Sequence, residues 1–221
     1  ALSSAASDVY KRQDFTITSD GDGMDASNIV QIEDGTLDIT AGGGAANSLK
    51  THESDMPGGP GGGMPQNGEK LDGESMPQMG EKPDGENMPQ DTTTDESGTS
   101  TKGIKAGGGM YLNGGTYKID SADDSIHSNA NITIADGTYT LATGDDGVHA
   151  DDALIVNGGT ITVTESYEGL EGLAVTINDG TIDITASDDG INTAGEKMEL
   201  NGGYILSLIH ISEPTRPLYI S

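Results

Sequence analysis

Four aspartates crowd into eight positions, Asp145, Asp146, Asp151 and Asp152, in the stretch GDDGVHADD at residues 144–152. Paired carboxylates can share a proton as acid and base, hold a hard cation between their oxygens, or cap backbone N–H groups in turns. Left alone they repel, by about 1 kcal/mol per pair at ~5 Å in water and several times that near a protein surface. The pattern recurs at Asp123/Asp124 and Asp188/Asp189, and Glu168 stands at the matching place before Gly169 and Leu170. An active site occurs once in a chain, so a pair repeated at regular intervals reads as architecture rather than catalysis.

The pairs close the blocks of an internal repeat. Residues 103–124, 125–146, 147–168 and 169–189 align with a period of 22 residues, one block having 21. An earlier block occupies 23–44 and a partial one 190–205. Each has three apolar beats: a single residue (Met24, Ile104, Ile126, Val148, Leu170, Ile191), then an alternating pair such as Ile132/Ile134, then another such as Ile182/Ile184. Alternation marks half-buried strands. Between the two pairs stands Asp-Gly-Thr or Asn-Gly-Gly-Thr, a turn that needs positive φ. Such turns also suit hairpins of a sandwich or barrel. The near-constant period with three short beats predicts instead an all-β parallel β-helix of three sheets, one coil per repeat.

In that stack the acids become a column. Asp124, Asp146, Glu168 and Asp189 close successive coils, with Asp22 at the equivalent earlier place and Asp123, Asp145 and Asp188 alongside. Adjacent coils bring carboxylates within about 5 Å, a spacing that calcium, which takes oxygen ligands in irregular geometry, can bridge. The competing expectation is that these acids cap turns and point into water. Val148 should face inward, so His149 should face out, in a row with Asp25, Lys105, His127, Glu171 and Asn192. Within it Lys105, His127, His149 and Asn192 are candidates to meet successive sugars, against the plainer reading of a solvated face. The histidines lack the paired sequence spacing of a transition-metal site.

Composition narrows the classes. The chain has 221 residues, 37 acidic and 10 basic, so nucleic acid and anionic membranes are poor partners unless a cation mediates. Trp is absent and Phe occurs once, so the core cannot be built around aromatics and is expected to rely on ladders of Ile, Val, Leu and Thr. Cysteine is absent, excluding disulfides and thiolate metal sites. No apolar run reaches the ~18 residues of a membrane-spanning helix. No feature indicates an oligomer. Residues 48–101 break the repeat with MPQNGEKLDGES and MPQMGEKPDGEN, a Pro- and Gly-rich subrepeat without apolar periodicity, expected to be a disordered insertion.

The two ends resemble translated adapters of transposon-based sequencing libraries. DVYKRQ (residues 8–13) can be encoded by a DNA element whose reverse complement encodes LSLIHI (residues 206–211). One inverted element at both ends explains this, so residues 1–13 and 206–221 are expected not to be native, with 14–205 a domain cut at both ends. Arg12 and Arg216, the chain's only arginines, both fall in these ends.

The coil endings GDDGVHADD (144–152) and ASDDGINTAG (186–195), with NGGTITVTESYEGLEG (157–172), resemble the carbohydrate-binding, pectate-lyase-like β-helix proteins of anaerobic plant-degrading bacteria. The resemblance covers most of 14–205 outside the insertion. It implies a right-handed parallel β-helix that binds calcium and an acidic plant polysaccharide such as polygalacturonate, with cellulose also considered. By position it implies Asp145, Asp146, Asp151, Asp152, Glu168, Glu171, Asp188 and Asp189 as calcium ligands or their neighbours. Pectate lyases of this fold typically abstract the sugar proton with arginine, and residues 14–205 contain none. Polygalacturonases have a Gly-Asp-Asp motif, echoed at 144–146, but also Gly-His-Gly and Arg-x-Lys runs, which do not occur here. The expected function is therefore non-catalytic, calcium-dependent polysaccharide binding outside the cell or on its surface. The alternatives are an adhesin or spacer rod, and, less favoured, a pectin-active lyase or hydrolase.

Overall fold

A computed structural model describes residues 13–49 and 100–209. Residues 1–12 and 210–221, hence most of the two adapter-like ends, lie outside the described residues, as does the insertion from 50 to 99.

The third beat of each repeat forms a seven-stranded parallel sheet. Its strands, in spatial order, are β1 (Asp14–Ser19), β4 (Thr36–Ala41), β7 (Thr116–Ser121), β10 (Thr138–Thr143), β12 (Thr160–Glu165), β14 (Thr181–Ala186) and β16 (Tyr204–Ile209). Spatial order follows chain order, one strand per coil, which is the signature of a β-solenoid. The first beats form β2 (Met24–Ala26), β5 (Ile104–Ala106) and β8 (Ile126–Ser128), and the second beats β3 (Val30–Ile32), β6 (Met110–Leu112) and β9 (Ile132–Ile134). In the later coils these two beats fuse into single strands, β11 (Val148–Val156), β13 (Leu170–Ile177) and β15 (Ile191–Leu200), so the three expected sheets merge into two. A register shift between Ala150 and Ala153 marks where the corner has been absorbed. A bulge of this kind bends a strand without ending its pairing.

Stacked equivalents make the core. Ile39, Ile119, Leu141, Val163 and Ile184 lie in one ladder, and Ile104, Ile126, Val148 and Leu170 in another, all almost fully buried. Two aromatics join them. Tyr117 and Tyr139 are 1 % exposed and stack with ring centroids 4.5 Å apart. Each hydroxyl escapes burial by donating to a turn carbonyl, of Gly114 at 2.8 Å and of Asp136 at 2.9 Å. Burial pushes both phenols far above their ordinary range.

Glycine fixes the coil at two places. Gly137 and Gly180 take φ of 124° and 123° in the Asp-Gly-Thr turns, where an L side chain would be strained. At the corner before each first-beat strand the coils approach closely: a Cβ on Gly147 would sit 2.5 Å from the Gly169 carbonyl oxygen. That corner sets the acid column against the strand that follows. Residues 206–209 of the tail continue β16 in register with residues 183–186.

Candidate metal centre

Two columns of side chains meet along this corner. The first is the residue closing each coil: Asp22, Lys102, Asp124, Asp146, Glu168 and Asp189. The second, three positions later, is the middle of the first beat: Asp25, Lys105, His127, His149, Glu171 and Asn192, in unbroken cross-strand register. The closing acids are tied to the backbone. Asp124 accepts through Oδ1 from the Asp146 N–H at 3.1 Å, and Asp146 accepts through Oδ1 from the Glu168 N–H at 3.2 Å. Asp22 accepts in the same way from the Lys102 N–H at 2.8 Å. One oxygen caps the next coil; the other faces the second column.

Cations meet that second oxygen in the earlier coils. Lys102, itself buried, places Nζ 3.0 Å from Asp123 Oδ1 and 2.6 Å from Asp124 Oδ2. Lys105 Nζ lies 3.6 Å from Asp22 Oδ2. In the middle coils imidazoles take over. His127 Nδ1 is 2.9 Å from Asp124 Oδ2, and His149 Nδ1 is 3.3 Å from Asp146 Oδ2, 3.7 Å from Glu171 Oε2 and 3.9 Å from Asp124 Oδ2. Asp151 Oδ1, two residues along the same strand face, lies 3.8 Å and 3.7 Å from Nε2 of His127 and His149. Burial alone would lower the His149 imidazole, but the carboxylates of Asp146, Asp124 and Glu171 outweigh it and push it up to about 10. Burial, against the opposing contact with His149 and with the negative charges of Asp124 and Asp145 adding to it, raises Asp146 well above the carboxylate range.

The last coils differ. Glu168, Asp188 and Asp189 bring ligand oxygens within 4.8 Å of one another. Glu168 is buried, whereas Asp188 and Asp189 are exposed. Asn192 Nδ2 donates to both Glu168 oxygens at 3.0 Å, and also reaches Glu171 Oε1 at 3.4 Å. An amide brings a donor but no charge. Burial pushes Glu168 up to about 7, with Asn192 opposing and Glu171, Asp189 and Asp188 adding repulsion. The four lysines among the described residues are engaged elsewhere: Lys102 and Lys105 as above, Lys118 with Asp38 at 3.4 Å and Lys197 with Glu199 at 2.9 Å.

The family model for carbohydrate-binding domain-containing proteins matches residues 10–147 and 144–209. The chain belongs to this family. No curated protein and no solved structure matches it.

Within this carbohydrate-binding domain the structure gathers most of the candidates drawn from sequence and separates a few. Asp123, Asp124 and Asp145 form one potential ligand group, Asp124 with His127 and His149 a second, Asp146 with His149 and Glu171 a third. Asp152 is exposed at the register shift and joins none of these groups among the described residues. The outward row is in register as expected, but its two histidines are not solvated: His127 and His149 are 6 % and 8 % exposed. Asp25 is exposed, while Lys105, Glu171 and Asn192 are half-buried. Stacking one coil apart also gives the histidines the pairing that their linear spacing lacks, with ring centroids 5.0 Å apart. Sequence reasoning missed Lys102. The signal was present in the alignment of Lys102-Gly103 with Asp22-Gly23, where a base replaces the closing acid.

Proposed function

We propose that this domain is a non-catalytic, calcium-dependent binder of acidic plant polysaccharide of the polygalacturonate class, displayed outside the cell or on its surface. The observation that carries the reading is the group Glu168, Asp188 and Asp189, where carboxylates converge with no lysine ion pair among the described residues and two of them face solvent. Its donors are all oxygen, which suits a hard dication in irregular geometry. Calcium held there would supply the positive charge that lets an acidic domain and an acidic polymer meet. Membership of the carbohydrate-binding family supports a sugar partner. The exposed aromatics among the described residues, Phe15, Tyr111 and Tyr204, stand on β1, β6 and β16 and share no row, which favours recognition through charge over ring stacking.

The non-catalytic part rests on how the aspartates are used. Asp124 and Asp146 each spend one oxygen on a backbone N–H of the next coil, a structural duty repeated along the column. The test uses the full chain on immobilised polygalacturonate, with calcium and then with chelator, while absorbance reports unsaturated products and a reducing-end assay reports hydrolysis. Retention that calcium confers and chelator removes, with the polymer intact, is the expected outcome. Retention in chelator would contradict the calcium dependence, and product formation would contradict the absence of catalysis. Binding of cellulose in preference to polygalacturonate would redirect the sugar class.

A further inference from the structure

The centre of the seam carries a second, chemically different group of side chains. His127 and His149 are stacked one coil apart, and one ring nitrogen of each, with an Asp124 oxygen, lie within 4.8 Å of one another. Both Nδ1 atoms are buried without a hydrogen bond of regular geometry, and their nearest polar neighbours are carboxylate oxygens at 2.9 Å and 3.3 Å. Such orphaned buried nitrogens are rare, and each calls for an explanation. His127 Nε2 is engaged with Asn129 Oδ1 at 3.2 Å. An amide oxygen only accepts, so Nε2 is the donor in that contact, which leaves Nδ1 as the ring atom facing the seam. A metal ion held by that nitrogen would find the Asp124 carboxylate, 2.9 Å from Nδ1, in place as a neighbouring ligand.

We infer that Asp124, His127 and His149 form a binding site for a divalent transition ion of the zinc type, with Asp146 or Glu171 available as a fourth ligand. Imidazole with carboxylate is a zinc donor set, whereas calcium takes oxygen alone. Ligands bound at ~2.0–2.1 Å in a tetrahedron stand about 3.3 Å apart. The 2.9 Å, 3.3 Å, 3.7 Å and 3.9 Å separations of Nδ1 from carboxylate oxygens bracket that value. The Asn129 contact is the outer hydrogen bond that fixes the tautomer and orientation of a ligating histidine. The site shares no residue with the group Glu168, Asp188 and Asp189, so it stands or falls independently of the calcium reading.

The test titrates the chelator-stripped full chain with zinc, and separately with cobalt, in excess calcium so that oxygen-only sites are filled. Cobalt should give the visible absorption of a tetrahedral ion. Proton NMR of the cobalt form should show two paramagnetically shifted imidazole N–H signals, assigned to His127 and His149. His127→Gln and His149→Gln should each weaken zinc binding about 100-fold or more, the upper end of what losing a group that merely orients a ligand costs. Should either variant fail to fold, the unmodified cobalt form decides. Absence of the two shifted signals, their assignment to His52 or His210, or one-for-one displacement of zinc by calcium would overturn the inference.

Discussion

The early and late ends of the seam come from the same repeat, yet they solve the repulsion between stacked carboxylates differently. In the early coils a closing acid meets Lys102 or a histidine, and Asp124 is fully buried between them. In the last coils the closing acid Glu168 meets Asn192 and further acids, two of which reach solvent. The contrast teaches that a carboxylate column is not one site. Where the protein supplies its own cation, the column becomes a structural rivet. Where it supplies only a neutral amide, the negative charge stays open to an ion from outside.

The largest expected effect comes from removing the internal cation. Lys102→Met would remove the ammonium that faces both buried Asp123 and Asp124 and should destabilise the metal-free domain by about 3–5 kcal/mol, measured by denaturant unfolding. A loss under ~1 kcal/mol would mean that the early end is not riveted by charge. The late end should respond to an external cation instead. Calcium at a hundredfold excess over Kd should add about 2.7 kcal/mol, and Glu168→Gln with Asp189→Asn should abolish most of that gain. An unchanged calcium-induced rise in Tm in this variant would move the ion elsewhere.

The row of Asp25, Lys105, His127, His149, Glu171 and Asn192 was legible in sequence because period and alternation fix which residues stack and which way each points. Burial of the histidines was not, because it depends on the neighbouring column and on Asp151, which close over the rings across the corner. Fusion of the first two beats was equally hidden. Turn residues separate them in β8 and β9, but Asp151 and Asp152 bridge them within β11, and no local propensity distinguishes the two outcomes. Lys102 is legible only by its position in the repeat, because a base stands there in place of the closing acid.

A smaller effect should appear with pH. Glu168 is raised from 4.5 to about 7 and His149 from 6.5 to about 10, so the folded chain holds both protons more tightly than the unfolded chain. That stabilisation is complete below the unfolded values and is lost as pH rises through the folded ones. In chelator, Tm should therefore fall between pH 4.5 and about 7 through Glu168, and again from 6.5 to about 10 through His149. Calcium, which needs the ionised carboxylate, should flatten or reverse the first step. A Tm that climbs across that range in chelator would contradict the repulsion inferred at the late end. The smallest effect belongs to Asp152→Asn, which lies apart from both ends; it should change stability by less than ~0.5 kcal/mol with or without calcium.

The most direct test compares the full chain with its Glu168→Gln, Asp188→Asn, Asp189→Asn variant on immobilised polygalacturonate in calcium. Circular dichroism would first verify that the coil is intact. The unaltered chain should be retained and the variant should elute with the unbound fraction, since the amides keep their size but cannot hold the ion that joins two polyanions. Equal retention of the folded variant would contradict the claim that the open end of the seam is the polysaccharide-binding site.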